Sequence, residues 1–355
     1  MNESKIRVGL VGLGQVSVPH EQGYERLGEL AQITAICDAN EELAKSRAAP
    51  HKAKVYRDYR ELVRDPDIDL VDVVLPHDYH FAVAMAGFEQ KKHVLVEKPI
   101  AVTSELGLTM IQKAKEAGVK FTVAENTPFI RAYQESEKLI RSGALGDIWL
   151  VRAYIHGPAV HRIQDPGCWL GKKPYGGVIL DSGVHTFYLF KWFFGGVCDV
   201  QTFASKIVPE GEMEDNATIT GHLANGSHFT TLQSCTIEVP WMERLEIFGS
   251  DGGLVIDQLA NPVVTLYRGE KDFDGQDLQN VPYEPMMWKH RSMHSEVEDF
   301  VRAVHEDRPP KVDPLDCCYA VRVVETCYES LDQGEPLPVK EYARFSLRET
   351  TTNSR

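Results

Sequence analysis

Short apolar runs rich in β-branched residues recur through the first third of the chain: Ile6–Val11 (IRVGLV), 33–37 (ITAIC), 70–75 (LVDVVL), 93–96 (HVLV) and 120–124 (KFTVA). Segments of helical character separate them, at Glu41–Ala48, 81–90 and Ser104–Ala117, the last closed by Gly118. Strand–helix alternation of this kind requires crossovers, so the pattern predicts a doubly wound parallel sheet with helices on both faces. It is the right size for a dinucleotide-binding domain over residues 1–126.

Beyond Asn126 the pattern changes. A helix is expected over 132–141, a strand over 148–155, a Pro/Gly-rich loop from 157 to 177, and a helix over 181–194 stopped by Gly195-Gly196. From 200 to 267 the apolar positions alternate with period 2, broken by Asn225-Gly226 and Asp251-Gly252-Gly253, which are hairpin signals. Helices at 295–305 and 315–331 follow, and the polar end, 348–355, reads as frayed. Residues 127–355 therefore read as an α+β domain with a large open, mainly antiparallel sheet.

Composition narrows the function classes. Lys+Arg number 38 against 52 Asp+Glu, a net charge of −14, which argues against a nucleic-acid or anionic-membrane partner. No apolar stretch approaches the roughly 20 residues of a membrane span, and the first residues lack the pattern of a signal peptide. The 7 cysteines are scattered without a Cys-x-x-Cys pair, so a reducing cytoplasm is expected and neither a disulfide framework nor a zinc site is supported.

Four constellations carry chemistry. Gly12-Leu13-Gly14-Gln15-Val16-Ser17 follows the first strand, and its glycines let backbone N–H groups approach a pyrophosphate at a helix N-terminus. Asp38, at the end of the second strand, suits the ribose hydroxyls of adenosine and repels a 2′-phosphate, favouring NAD over NADP; its alternative is a turn-former. Pro76-His77-Asp78-Tyr79-His80 follows the third strand, where position alone does not separate a ligand-facing loop from one whose His80 caps the next helix. Glu97-Lys98-Pro99 ends the fourth strand and puts Lys98 at the crevice mouth, able to stabilise alkoxide charge, although a lysine there is usually a solvated residue. In Gly176-Gly177-Val178-Ile179-Leu180-Asp181-Ser182-Gly183-Val184-His185, Asp181 and His185 would share a helical face; the alternative is an N-terminal Asp and a satisfied histidine.

In their order and spacing these motifs resemble the glucose–fructose oxidoreductase/inositol dehydrogenase/rhizopine-catabolism (Gfo/Idh/MocA) family. The resemblance extends through Ser142-Gly143-Ala144-Leu145-Gly146 and the Asp299-Phe300 helix. It implies NAD(P)-dependent redox, with NAD expected from Asp38, at a secondary alcohol of a sugar, cyclitol or glycoside, and a homodimer or homotetramer formed through the second sheet. It implies cofactor contacts from Gly12, Leu13, Gly14, Gln15, Val16, Asp38, Pro76, His77, His80, Glu97, Lys98 and Asn126. Lys98 matches the active-site lysine, Asp181 the carboxylate and His185 the general base. Two positions depart from the family pattern: Tyr188 stands where many members have Asp, and Tyr175 replaces the first of three glycines.

The expected mechanism has His185 taking the hydroxyl proton, Lys98 steadying the oxygen, Asp181 orienting His185, and hydride passing to NAD. The pocket loop adds His156, His161, Arg162, Trp169, Lys172 and Lys173; Trp169 would stack on a sugar face or anchor a lid. The histidines lack ligand spacing, so no metal is expected. Two alternatives are a redox-neutral glycosidase or isomerase that recycles tightly bound NAD, and a silent nicotinamide sensor, which would not need Lys98, Asp181 and His185 together.

Overall fold

The computed structural model describes residues 5–174, 176–261, 263–268, 272–277 and 287–340. Tyr175 and the end expected to fray lie outside the described residues. The first sheet is wholly parallel, with β1 (Ile6–Val11), β2 (Ala31–Cys37), β3 (Lys54–Tyr56), β4 (Leu70–Val73), β5 (His93–Glu97) and β6 (Phe121–Ala124) in the order β3-β2-β1-β4-β5-β6. The crossovers are α1 (Ser17–Arg26), α2 (Glu41–Ala48), α3 (Tyr59–Arg64), α4 (His77–Glu89) and α5 (Ser104–Ala117). Asn40 and Thr103 cap α2 and α5 through their side-chain oxygens, which accept from the backbone N–H groups of Leu43 and Leu106.

Two differences from the sequence reading have simple causes. Strand β3 and helix α3 are too short to generate a periodic signal, and the sequence reading named neither. Helix α4 begins at His77, four residues before the expected 81, because its first turn is polar and the apolar period starts only at Phe81.

The second sheet has nine described strands in the order β14-β13-β12-β11-β7-β10-β9-β8-β15. These are β7 (Ile148–His156), β8 (Val197–Ser205), β9 (Asn216–Leu223), β10 (His228–Ser234), β11 (Met242–Gly249), β12 (Gly253–Asp257), β13 (Val264–Arg268), β14 (Asp272–Asp277) and β15 (Leu337–Pro338). All neighbours are antiparallel except β7 and β10, so the sheet is mixed but mainly antiparallel. The remaining helices are α6 (Arg131–Arg141), α7 (Val160–Gln164), α8 (Val178–Asp181), α9 (Gly183–Phe194), α10 (Met287–His305) and α11 (Pro314–Gln333). Phe187, Phe190 and Phe194 of α9 pack with Phe229 and with Val321 and Val324 of α11 under one face of the sheet. The opposite face has no helix among the described residues.

The expected helix over 181–194 is two helices, parted at Ser182 where Gly183 follows and where glycine weakens helical continuity. This break changes the site. The C-terminal helices also return to the nucleotide half: Val297, Phe300 and Val301 of α10 join a core with Val8, Leu10 and Tyr24. Thr122 Oγ1 donates to the carbonyl of Val312 at 2.8 Å, and Glu325 accepts from both the N–H and the hydroxyl of Ser104.

Candidate active site

The parallel register gathers the site. Val11 lies level with Cys37 and Val73, and Val73 with Val96, so the residues that follow these strands emerge along one edge of the sheet. Gly12, Asp38, Pro76, Lys98 and Asn126 all stand at that carboxyl edge, and the strand order reverses between β1 and β4, where a doubly wound sheet opens its ligand crevice.

The glycine turn fits a dinucleotide. Gly12 has φ +94, and a Cβ there would fall 2.1 Å from the carbonyl oxygen of Val74, so no side chain fits. A Cβ on exposed Gly14 would meet nothing within 4 Å, which leaves its backbone open to close approach beside exposed Gln15 and Val16. Ser17, in place of the third glycine, is buried and donates its hydroxyl to the Gly14 carbonyl at 2.7 Å. Asp38 accepts from Leu13 N at 2.9 Å through one oxygen and from Asn40 N at 2.8 Å through the other, tying the end of β2 to the glycine turn.

Other expected cofactor residues face the protein. His80 is fully buried, its ring nitrogens 2.7 Å from the Pro99 carbonyl and 2.8 Å from that of Leu75, so it staples the loops after β4 and β5. Burial lowers its pKa, while the two carbonyls act in the opposite direction. Glu97 turns inward to His20, at 3.0 Å, and accepts from Lys98 N at 3.1 Å. Asn126 is buried and donates to Ser292 Oγ at 2.9 Å. These three therefore shape the crevice wall through contacts with other protein groups. His77 stacks with Trp169, ring centroids 4.1 Å apart, which seats the 157–177 loop on the nucleotide half.

The amine of Lys98 crosses the crevice to the second domain. Its Nζ donates to Asp181 Oδ1 at 2.7 Å and to the Asp181 carbonyl at 2.9 Å. Burial alone would raise the Asp181 pKa, but the charges of Lys98, His77 and Arg162 hold the carboxyl well below the usual carboxylate range. Asp181 is thus the partner of Lys98, not of His185 as the four-residue spacing suggested; the break at Ser182 takes the two off a common helical face.

His185 is oriented instead by Glu125, a residue the sequence reading passed over. Both oxygens of Glu125 lie 2.9 Å from His185 Nδ1, and Glu125 also accepts from Thr127 N at 3.0 Å and from the Thr127 hydroxyl. Burial pushes the Glu125 pKa up, yet His185 and Thr127 outweigh it and keep the group below its ordinary value. An ionised carboxylate only accepts, so Nδ1 carries the proton and Nε2 is left as the basic nitrogen. Lys98, Glu125, Val184 and Tyr188 line one small cavity, so the partner of His185 and the partner of Asp181 adjoin. A second cavity lies between His185, Asn126, Tyr133 and the β11 residues Glu243 and Arg244. Glu125 directly follows Ala124, which ends β6 level with Glu97, and that position was its only signal.

Behind the wall, fully buried His20 lies between two carboxylates, Nδ1 at 2.8 Å from Asp72 and Nε2 at 3.0 Å from Glu97. Tyr24 donates to Asp72 at 3.0 Å, and buried Glu296 of α10 lies 3.9 Å from His20 Nε2. Acceptors on both ring nitrogens demand an imidazolium. Burial opposes this, but Asp72 and Glu97 raise the His20 pKa well above its ordinary value. The sequence signal was Asp72, an acid inside an otherwise apolar parallel strand that must find a partner.

A glycine turn at a switch point, an acid at the end of the second strand and a lysine bridging two domains are the architecture of a dinucleotide-dependent oxidoreductase. Comparison with known proteins agrees. The profile of the oxidoreductase family with an NAD-binding Rossmann fold matches residues 6–125, and that of the GFO/IDH/MocA C-terminal domain matches residues 133–255. The chain belongs to the GFO/IDH/MocA oxidoreductase family. Over 343 residues it is 25% identical to myo-inositol 2-dehydrogenase of Thermotoga maritima, covering 95% of this chain and 99% of the relative. The WlbA dehydrogenase from Bordetella pertussis, solved with NADH and UDP-GlcNAcA, superposes with a TM-score of 0.88 at 22% identity, covering 96% of this chain and all of that one (100%). Levoglucosan dehydrogenase, solved with NADH and L-sorbose, superposes with a TM-score of 0.85 at 21% identity over 96% of this chain and 100% of its own. The expected NAD-binding Rossmann domain and mainly antiparallel second sheet are thus the family's fold. No helix among the described residues is long and apolar enough to cross a membrane.

Proposed function

We propose that the protein transfers hydride between NAD and a secondary alcohol of a carbohydrate-like substrate, with His185 as general base and Lys98 as the group that steadies the reacting oxygen. The supporting observation is the bond of an amine from the nucleotide half, Lys98, to Asp181, with Glu125, the partner of His185, lining one cavity with Lys98. The bound nicotinamide supplies the hydride acceptor. The chain supplies the rest: Glu125 fixes the His185 tautomer and favours its protonated form after proton transfer. Asp181 holds the Lys98 amine in place across the crevice, where it stabilises developing alkoxide charge. Asp38 selects the unphosphorylated ribose, hence NAD over NADP. Inositol and levoglucosan dehydrogenases among the relatives support a sugar or cyclitol as the substrate class.

A second copy of the chain completes the open face of the larger sheet in this reading. Leu150 (37% exposed) and Phe203 (58% exposed) lie on that uncovered face, which is large enough to need a partner.

The test is a panel of cyclitols, hexoses, sugar acids and glycosides assayed with NAD and NADP, following reduced nicotinamide. Stoichiometric accumulation with NAD is the expected result. Product formed without accumulation would replace net oxidation by hydride recycling, and a solution mass of one chain would remove the second copy.

A further inference from the structure

Asp181 and His185 stand two residues to either side of Gly183, at the break between α8 and α9. The break does more than part them. In an unbroken helix the Asp181 carbonyl would accept from His185 N, four residues on; here it accepts from Lys98 Nζ at 2.9 Å. Ser182, the N-cap of α9, makes no side-chain capping bond. The bond between the two domains therefore depends on where α8 stops and α9 begins.

Gln233 of β10 lies against that break. β10 is a central strand, with β7 on one side and β9 on the other, and Gln233 stands level with Ile155 and Ala217. The residue is 0% exposed, and neither Oε1 nor Nε2 has a hydrogen-bond partner among the described residues. A Cβ on Gly183 would fall 3.1 Å from Oε1 and 3.2 Å from Nε2. That is tighter than ordinary contact, and the sealed amide has no solvent to swing into, so glycine at 183 and glutamine at 233 fit each other. A buried amide without a partner costs free energy that an apolar side chain of the same length would not. Folded proteins retain such groups where function requires them.

We propose that Gln233 is a positioning residue for the hydride-transfer site: its sealed amide fills the space beside Gly183, holds the break between α8 and α9, and so sets where Asp181 and His185 stand relative to Lys98. This deepens the dehydrogenase reading and rests on it. The route is short and stiff. A central strand carries the amide, the amide meets Gly183, and two residues to either side lie the partner of Lys98 and the partner of Glu125. A displacement of about 1 Å at such a point is enough to cost a large factor in turnover.

The test measures kcat, KM and melting temperature of the full chain with NAD and the best polyol of the substrate panel. The variants are Gln233→Met, Gln233→Ala, Gly183→Ala and the double variant Gly183→Ala/Gln233→Ala. Gln233→Met keeps the length of the side chain and removes its polar atoms. It is expected to lower kcat about 10-fold with KM within about threefold of wild type, while the melting temperature stays at or above that of wild type. Gly183→Ala is expected to lose about 10-fold in kcat, and the double variant to be no worse than Gln233→Ala alone, because removing the amide frees the space for the added methyl. Wild-type kcat in Gln233→Met, a parallel fall in its melting temperature, or additive losses in the double variant would overturn the proposal. A readout without turnover separates the two readings: the nitrogen NMR signals of the His185 ring, assigned by their loss in His185→Asn, are expected to move in Gln233→Met. Moved signals in a protein that oxidises no polyol keep the positioning role and remove the dehydrogenase reading, while unmoved signals remove the positioning role.

Discussion

Two imidazole–carboxylate centres lie on either side of one wall of this protein, and they differ chiefly in access to water. His185 meets Glu125 through one nitrogen and keeps 19% of its side chain exposed on the crevice side. His20 meets Asp72 and Glu97 through both nitrogens and is wholly sealed. The first can gain and lose a proton at Nε2. The second has no nitrogen to spare, and its charge offsets those of two buried acids. The same chemistry is thus open to proton transfer, the role proposed for His185, where one ring nitrogen is free, and serves cohesion where neither is.

Replacing the sealed centre should cost most. His20→Leu strands Asp72 and Glu97 as buried charges and is expected to destabilise the fold by about 3–5 kcal/mol, read as a loss of denaturation midpoint. Full stability in that variant would mean the buried acids are already neutral. At the open centre the larger effect falls on turnover: His185→Asn and Lys98→Ala each lower kcat by about 10²-fold while the variants still fold. Wild-type turnover in either variant would remove the assignment.

Glu125→Gln is a finer probe, because it keeps the shape beside His185 and removes the charge. We expect about a 10-fold loss of kcat with KM little changed, and a displaced pH profile. An unchanged profile would show that Glu125 only packs. The smallest effect is a pH slope. Asp181 and Glu125 are held below their ordinary values, so their contribution is complete above about pH 4 and is lost as pH falls through the depressed values. His20 is raised, so its contribution is complete below about pH 6.5 and is lost as pH rises through the raised value. Burial also raises Glu296, next to His20, and the sign for this acid is the same as for His20: stability drains away with rising pH. Glu296→Gln should therefore flatten the alkaline fall in melting temperature, and an unaltered slope would detach Glu296 from the cluster.

How much of this was legible differs between the halves. Gly12, Asp38 and Lys98 could be found because each sits at the end of a strand whose apolar run is unmistakable, and parallel pairing sends all such ends to one edge. Helix α4 was misplaced because its first turn is polar, and β3 and α3 were invisible because they are too short. Asp181 and His185 were recognised, but their partners were exchanged: a spacing of four specifies a shared face only if the helix is unbroken, and Ser182-Gly183 breaks it.

By itself the sequence determined what local rules control: the alternation that makes a doubly wound sheet, the glycine that alone fits against Val74, and the residue types at each strand end. Tertiary structure decided the pairings, Lys98 with Asp181 across 83 residues, His185 with Glu125 across 60, and His20 with Glu97 across 77. Hydrogen bonds and ion pairs depend on distance in space, and a folded chain sets that distance through packing that no local pattern encodes.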